Sequence, residues 1–506
     1  MTNVPDDIDT LQRLLQQALL QNHVLDTRNQ ELELELVALK SELSIALEKL
    51  KLNLGRTYGK RSEKEPKGTF NEAEKYRSNV EPKHYKKGRK PLPVELEREE
   101  RVYELDTPVC ACCNEPLHVC GFEESEQLKV VPAQISVIKH RQTKYACRRC
   151  EKTETQSKVI TVAKPAQPIP GSLASAEALA AVVTAKYCDA LPLYRQEQIF
   201  ARIGFEISRS TLANWCIKAG ELLTPMMTAF AQHLKQQPVI CADETTVQVL
   251  KELGKTAEST SYMWVYRSGE YQRQPVVIYD YQPGRGQQYP QAFLEGYSGY
   301  LQTDGYAGYN NIEGITKAGC WAHARRKFVD AQKLQKKKTG KASIVLNLIQ
   351  KLYGIEQATR KMSPQERCNK RRQLAPPILE KLHQWLIKEK EQTLPKSQLG
   401  IAINYTLNQW QTLNCYLQDG ELGIDNNITE RDIRPFTTGR KNWLFCHSAD
   451  GADASAVLYS MAMTCRANDL NPYYYFLKLF TELPQRPNGA DLSDLMPWVV
   501  ARNLDI

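Results

Sequence analysis

Val239-Ile240-Cys241-Ala242-Asp243-Glu244-Thr245-Thr246 is the stretch on which the architecture of this 506-residue chain turns. Four apolar residues in succession, opened by β-branched Val239 and Ile240, read as a buried strand, and the run ends in two adjacent carboxylates. Outward from it, residues 262–266 and 275–281 are strand-like, so a β-meander follows the first acid. Gly299-Tyr300-Leu301-Gln302-Thr303 then leads to Asp304-Gly305, and residues 317–321 lead into the helical segment Ala322-His323-Ala324-Arg325-Arg326-Lys327-Phe328. Three strands, helix, strand, helix, strand, helix is the order of a ribonuclease-H-like sheet. Such a sheet sets the ends of its first and fourth strands side by side, and on that pattern Asp243 and Asp304 are expected to meet.

A third acid comes from Asp425-Asn426-Asn427-Ile428-Thr429-Glu430-Arg431-Asp432-Ile433-Arg434-Pro435. Asp425 or Asn426 can cap a short helix, expected to end near Arg434 because Pro435 follows. Glu430 lies on it with Arg434 four residues on along the same face, and Asp425 and Asp432 are rival ligands. Singly, each acid reads as a turn or a solvated helix charge. Together, in this order, they suit two Mg²⁺ ions, with Mn²⁺ as a substitute, flanking a phosphate. His323 stands close enough in sequence to assist proton transfer, but a structural role after Trp321 is the expectation.

Charge and length frame this core. Lys+Arg 67 against Asp+Glu 58 gives +9, while 42% hydrophobic and 25% charged residues describe folded domains, about three at this length. The surplus is local. Residues 49–90 carry 14 Lys/Arg against 5 Glu and read as a basic tether, and residues 317–372 carry 16 Lys/Arg against 3 Asp/Glu. The second block, including Lys336-Lys337-Lys338, heads a helical insertion between the second and third acids and fits a DNA track. Gly439-Arg440-Lys441-Asn442-Trp443, just past Glu430, suits phosphate clamping or base stacking. The acidic opening, with Asp6, Asp7 and Asp9, is unlike a secretory signal, and the longest apolar tract, residues 173–185, is too short to span a bilayer, so a cytosolic protein is expected.

Upstream, Leu11, Leu15, Ala18, Asn22, Leu25, Asn29, Leu32, Leu36, Leu39, Leu43, Ala46 and Leu50 recur at alternating spacings of four and three. That is a heptad seam, and Asn22 and Asn29 at a positions favour a two-stranded parallel pair. Cys110-Ala111-Cys112-Cys113 and Cys147-Arg148-Arg149-Cys150 form two CxxC knuckles separated by 33 residues. Four thiolates suit tetrahedral Zn²⁺ in a closed structural site, although Cys112 and Cys120 compete as ligands. The eight cysteines beyond Cys150 are expected to be reduced core residues. Residues 194–202 and 208–219, joined by Ile203-Gly204-Phe205-Glu206-Ile207, have helix-turn-helix spacing, with Arg209, Ser210, Thr211 and Asn214 as exposed base readers.

At these residues the chain resembles the insertion sequence 66 family of bacterial transposases, the large DDE-type protein often called TnpC. The resemblance runs through the zipper, Tyr58-Gly59-Lys60-Arg61-Ser62-Glu63-Lys64, Gly88-Arg89-Lys90-Pro91-Leu92-Pro93, the knuckles with Val131-Pro132-Ala133-Gln134, and Leu191-Pro192-Leu193-Tyr194-Arg195-Gln196-Glu197. It continues through Ala242-Asp243-Glu244-Thr245, Thr303-Asp304-Gly305-Tyr306, Cys320-Trp321-Ala322-His323, and Asn426-Asn427 on to Trp443. It departs at Asn114-Glu115, where the family usually has glycines. The resemblance implies Asp243, Asp304 and Glu430 as catalytic, Mg²⁺-binding residues, and Cys110, Cys113, Cys147 and Cys150 as Zn²⁺ ligands. It implies double-stranded DNA, both terminal inverted repeats and target, as substrate, with companion proteins of the same element. A DNA-binding repressor with idle acids is the rival reading, and the intact order of all three acids counts against it.

The expected layout is a multidomain α/β chain. A coiled coil over 1–55 precedes a basic linker over 56–100, a zinc-binding module over 101–163 and a helix-turn-helix region over 172–235. The ribonuclease-H-like catalytic domain follows over 236–450, with a helical insertion at about 330–420, and a C-terminal helical region over 451–506. Arg209, Asn214, Arg325, Arg326, Arg434, Arg440 and Lys441 are the expected DNA contacts. The heptad seam predicts a homodimer, or a higher oligomer built on it. Sedimentation should find paired chains for the whole protein and for residues 1–55 alone, and monomer in both cases contradicts the zipper.

Overall fold

The computed structural model describes residues 7–58, 98–102, 134–146, 159–334 and 340–503, with residues 115, 125 and 127. The chain divides into two units, one of Met1–Lys67 with Gln142–Ile506 and one of Gly68–Arg141. The knuckle cysteines Cys110, Cys113, Cys147 and Cys150, most of the basic tether and the Lys336-Lys337-Lys338 run lie outside the described residues.

Helix α1 (Ile8–Tyr58) holds 51 residues, rich in Leu, Glu, Gln and Lys and free of proline. Its leucines from Leu14 to Leu50 are exposed, with Leu15 at 61% and Leu39 at 65%, whereas Leu52 is buried and Glu48 accepts a 3.1 Å bond from the Gln398 amide. Strands β1 (Lys144–Tyr145) and β2 (Ile160–Thr161) pair antiparallel. Three helices follow: α2 (Ala176–Tyr187), α3 (Leu193–Arg202) and α4 (Arg209–Lys235). Ser175 and Ser208 cap the first and third by accepting from the amides of Ala178 and Thr211. The expected second helix of the hairpin stops at residue 219, whereas α4 runs 27 residues to Lys235, through Pro225. Its stripe of Leu212, Cys216, Ala219, Leu223, Met226, Phe230 and Leu234 continues without a break and stays buried, and that burial outweighs the proline.

The central sheet comprises β3 (Val239–Lys251), β4 (Thr260–Ser268), β5 (Val277–Gln282), β6 (Gly299–Gln302) and β7 (Ile315–Ala318), in the order β5-β4-β3-β6-β7. The first three strands run antiparallel as a meander, and β6 and β7 join parallel to β3. Helix α5 (Gln288–Phe293) links the meander to β6, but only a single 3₁₀ turn, Ala307–Tyr309, stands where a full helix was expected between β6 and β7. The strand opening at Val239 does not end at the acids: it continues through Asp243 and Glu244, which pair with Val265 and Trp264 of β4. Continuous antiparallel pairing with β4 carries it on.

After β7 come α6 (Trp321–Lys333), α7 (Lys341–Thr359), α8 (Pro364–Leu374), α9 (Pro376–Glu391), α10 (Gln398–Asn408) and α11 (Trp410–Asn414). The chain then returns as α12 (Asn427–Trp443), β8 (Cys446–Ser448, parallel to the far end of β3), α13 (Ala449–Ala467), α14 (Pro472–Glu482) and α15 (Pro497–Asn503). Alternation along β3 divides these helices into two layers. Ile240 and Ala242 pack with residues of α2, α4, α13 and α14, while Val239 and Cys241 pack with α6, α7, α9 and α10. The boundaries expected at 235/236 and 450/451 therefore do not separate packing units, because the helices on either side cover one face of the sheet. Edge strand β5 is sealed by α13: the amides of Val277 and Tyr279 donate to Thr464 Oγ1 at 2.9 Å and Ser460 Oγ at 2.7 Å.

Helix α12 also departs from expectation, continuing through Pro435 to Trp443. An interior proline costs about 3 kcal/mol or more. Beside it Phe436 is buried against Tyr279, Tyr459 and Trp443, with ring centroids 6.1, 5.2 and 5.7 Å away. The helix ends only at Leu444, whose φ of 68° is left-handed.

Within the insertion, Arg371 of α8 is fully buried and its Nε donates to Glu356 of α7 at 2.8 Å, while its Nη1 donates to the Tyr416 carbonyl at 3.0 Å. Removing the acid alone leaves a buried guanidinium unpaired. Glu356→Ala should lower unfolding stability by about 3–5 kcal/mol in chemical denaturation, and a loss below about 1 kcal/mol contradicts the pairing.

Candidate functional site

The register of β3 on β6 places the first two acids. Cys241 lies opposite Gln302, the last pair between β3 and β6, and Asp243 and Asp304 are each two residues beyond it, Asp243 within the continuing strand β3 and Asp304 just past the end of β6. Strand alternation turns Asp243 to the face of Val239 and Cys241, toward the insertion helices. Its Oδ1 accepts from the Glu244 amide at 2.9 Å. Burial, then the neighbouring Glu244, Asp304 and Glu430 carboxylates, push the Asp243 carboxyl up to about 7, against the one lowering contact from the Glu244 amide. Asp304 closes a turn by accepting from the Tyr306 amide at 2.8 Å. A Cβ on Gly305 would come within 2.9 Å of the Tyr405 ring, so only glycine lets α10 close on this turn.

Asn426 brings in the third acid. It is buried, its Nδ2 donates to the Ala242 carbonyl at 2.9 Å, and its Oδ1 accepts from Thr429 Oγ1 at 2.6 Å. The side chain expected as a helix cap is thus spent on strand β3, beside Asp243. Glu430 follows in the first turn of α12, where the helix dipole favours a carboxylate. Its oxygens meet Arg326 Nη2 of α6 at 2.9 and 2.8 Å, and His323 Nε2 stands 3.5 Å away. Burial lowers the proton affinity of His323, which leaves it neutral, and its Nδ1 is buried without a hydrogen-bond partner. Among the described residues no three His, Cys, Asp or Glu side chains stand in metal-holding geometry. Glu430 is turned to Arg326, although it lies within electrostatic reach of Asp243.

The rival acids are otherwise engaged. Asp425 accepts from Tyr353 Oη at 2.7 Å and from the Asn427 amide at 3.0 Å, and Asp432 is ion-paired to buried Arg267. Glu244 accepts from Tyr309 Oη at 2.6 Å and from Arg285 Nε at 2.8 Å.

Of the expected DNA contacts, Arg209, Asn214, Arg434 and Lys441 are exposed, as are Ser210 and Thr211, while Arg325 is half-buried. Arg326 instead holds Glu430. Arg440 donates from Nη1 to Thr245 Oγ1 at 3.2 Å and Thr246 Oγ1 at 3.0 Å, which braces β3 behind the acids. Trp443 packs on Phe436 inside the fold, so it is no platform for a base. His323 and Arg326 were legible as an i, i+3 pair on one helix face, but which acid they would meet was not.

The family profile described as "Transposase IS66 family" matches residues 171–454, more than half of the chain. "Zinc-finger binding domain of transposase IS66" matches residues 107–151, and "IS66 C-terminal element" matches residues 460–498. Uncharacterized protein y4qI of Sinorhizobium fredii (strain NBRC 101917 / NGR234) is 31% identical, over 98% of this chain and 98% of its own. Uncharacterized protein y4jD of the same organism is 32% identical, over 80% of this chain and 81% of its own. Eight cysteines beyond Cys150 are free, as the composition implied, and among the described residues no helix is long and apolar enough to cross a membrane.

The raised Asp243 carboxyl makes stability depend on pH. Its folded value of about 7 exceeds the ordinary 3.8, so the folded state holds the proton more tightly and stability falls as pH rises from about 4 to about 7. Each unit is worth about 1.4 kcal/mol, which bounds the effect at about 4 kcal/mol. In metal-free buffer, Asp243→Asn should gain stability on the wild type steadily across that window in urea denaturation, and parallel pH profiles contradict the assignment.

Proposed function

The chain belongs to the IS66 family of transposases, and from that premise we propose that it cuts the ends of a mobile DNA element and joins them to target DNA, with Asp243, Asp304 and Glu430 as the catalytic carboxylates. The observation that carries this reading is the β3–β6 register together with the Asn426–Ala242 bond: it draws acids some 60 and 126 residues apart in sequence into one electrostatic neighbourhood. A sheet of three antiparallel strands extended by two parallel ones supports a ribonuclease-H-like core.

The donor set fits a hard divalent cation. Burial first, then the neighbouring Glu244, Asp304 and Glu430 carboxylates, raise Asp243, and Mg²⁺ or Mn²⁺ would offset the part that is repulsion. Asp243, Asp304 and Glu430 would hold two such ions, which when bound activate the attacking oxygen and stabilise the leaving one. The remaining work falls to the chain. Asn426 and Arg440 fix α12 against β3 on either side of Glu430, so that the carboxylates do not drift apart. Arg326 keeps Glu430 neutralised until an anionic strand arrives to draw the guanidinium away. His323, neutral and beside Glu430, orients that carboxylate. The attacking groups are water at the element's 3′ ends and then the freed hydroxyl on target DNA, and no protein side chain becomes covalently attached.

Binding belongs to the upstream segments. The zinc-finger match supports Cys110, Cys113, Cys147 and Cys150 as a closed Zn²⁺ ligand set. Arg209 and Asn214 at the exposed start of α4 suit base reading within the terminal inverted repeats. The exposed leucines of α1 suit pairing with a second chain. Companion proteins of the element complete the assembly, which works on the bacterial nucleoid in the cytoplasm.

The experiment is a Mg²⁺-dependent cleavage assay on duplexes carrying the inverted repeats that flank the gene. Asp243→Ala, Asp304→Ala and Glu430→Ala should each reduce end cleavage by at least about a thousandfold while end binding persists. Cleavage that survives any one of them refutes the triad.

A further inference from the structure

Helix α12 presents a second feature one turn beyond Glu430. Arg431, Arg434 and Thr438 of α12, Arg466 of α13, and Asp189 and Ala190 from the loop between α2 and α3 line a cavity of about 400 Å³. Three guanidiniums converge there against one acid in the wall. Among the described residues, neither Arg431 nor Arg434 makes a side-chain hydrogen bond or ion pair, and Arg466 reaches only Met463 Sδ, at 3.8 Å. The carboxylate behind them, Asp432, lies within electrostatic reach of Arg431 and Arg466 but is committed to Arg267. Glu270 also lies within electrostatic reach of Arg431 but makes no hydrogen bond to it, so the three cations hold no direct carboxylate partner, and an anion in the cavity turns their mutual repulsion into attraction. Planar guanidinium forks match the paired oxygens of a phosphodiester.

The loop that closes the cavity is anchored to the same helix. Ala190 holds a left-handed φ of 56°, and its carbonyl accepts from Asn442 Nδ2 of α12 at 2.9 Å. That loop runs directly into α3 and then α4, the hairpin with the exposed base-reading positions. An anion seated here touches the loop that leads into the hairpin and the Glu430 helix at once.

We propose that Arg431, Arg434 and Arg466 form a phosphate pocket that grips the backbone of the element-end duplex and registers the hairpin-bound DNA on the helix carrying Glu430. This rests on the reading that the chain binds element ends, and it adds Arg431 and Arg466 as positioning residues that act through the DNA rather than on the reacting atoms.

The test uses the full-length protein and end duplexes carrying single neutral methylphosphonate linkages, scanned along each strand. Wild type should lose affinity about tenfold at one or two linkages. Arg431→Ala/Arg466→Ala should bind more weakly, be indifferent at those linkages, and show a log K against log[salt] slope shallower by about one. Arg431→Lys/Arg466→Lys guards against misfolding: it keeps the charge, so the wild-type salt slope should persist with intermediate affinity. A double Ala variant still sensitive at the same linkages, or an unchanged slope, overturns the pocket. So does millimolar inorganic phosphate raising the melting temperature of the wild type while every methylphosphonate is tolerated, which marks a free-anion site. Wild type that binds end and random duplexes alike overturns the underlying reading and the pocket with it, a result distinct from unchanged behaviour of the variants.

Discussion

Parallel pairing of β3 with β6, with Cys241 opposite Gln302, is the constraint from which the site follows. Parallel neighbours share a direction, so residues equally far beyond the last pair arrive side by side, and Asp243 and Asp304 are both two steps on. A slip of one residue would turn Asp243 to the opposite face, with Ile240 and Ala242, among the helices that cover the core. The third carboxylate has no strand to place it. It depends on one buried amide: Asn426 donates to Ala242, and without that bond the Ala242 carbonyl and the Asn426 amide would both be left unsatisfied in the interior.

The two helical layers follow from the same strand. Alternate residues of β3 need cover on both sides, and the chain supplies it from widely separated stretches. One face takes the helices before the sheet and those after residue 448; the other takes the long insertion between the second and third acids. The insertion therefore does more than add basic residues to the chain. Its α6 brings His323 and Arg326 to Glu430, and Tyr405 of α10 presses on the turn at Gly305. The α3–α4 hairpin and the central sheet share one hydrophobic core, so the two are coupled through packed side chains.

Much of this was legible in the chain itself. The apolar run before Asp243, the strand before Asp304 and the cap-like Asp425-Asn426 before Glu430 are local signals, and local signals specify element type. Where elements stop was less legible. Pro435 and the hairpin's second helix each carry a signal for termination that tertiary burial overrides, through Phe436 in one case and the stripe from Ala219 to Leu234 in the other. Partnerships across the fold were not legible. Glu430 has a nearer cation in sequence, Arg434, yet pairs with Arg326, because α6 and the start of α12 pack together on one face of the sheet. Arg440 looks like a free phosphate clamp in sequence and is half spent on Thr245 and Thr246.

The central claim is that Asp243, Asp304 and Glu430 act as one metal-dependent site. A crystal structure of the protein on element-end DNA, grown with Mn²⁺ and measured at the manganese absorption edge, tests it most directly. The account predicts anomalous density bounded by these three carboxylates, with Glu430 no longer on Arg326. Density at other acids, or none while Glu430 stays paired to Arg326 on bound DNA, contradicts it.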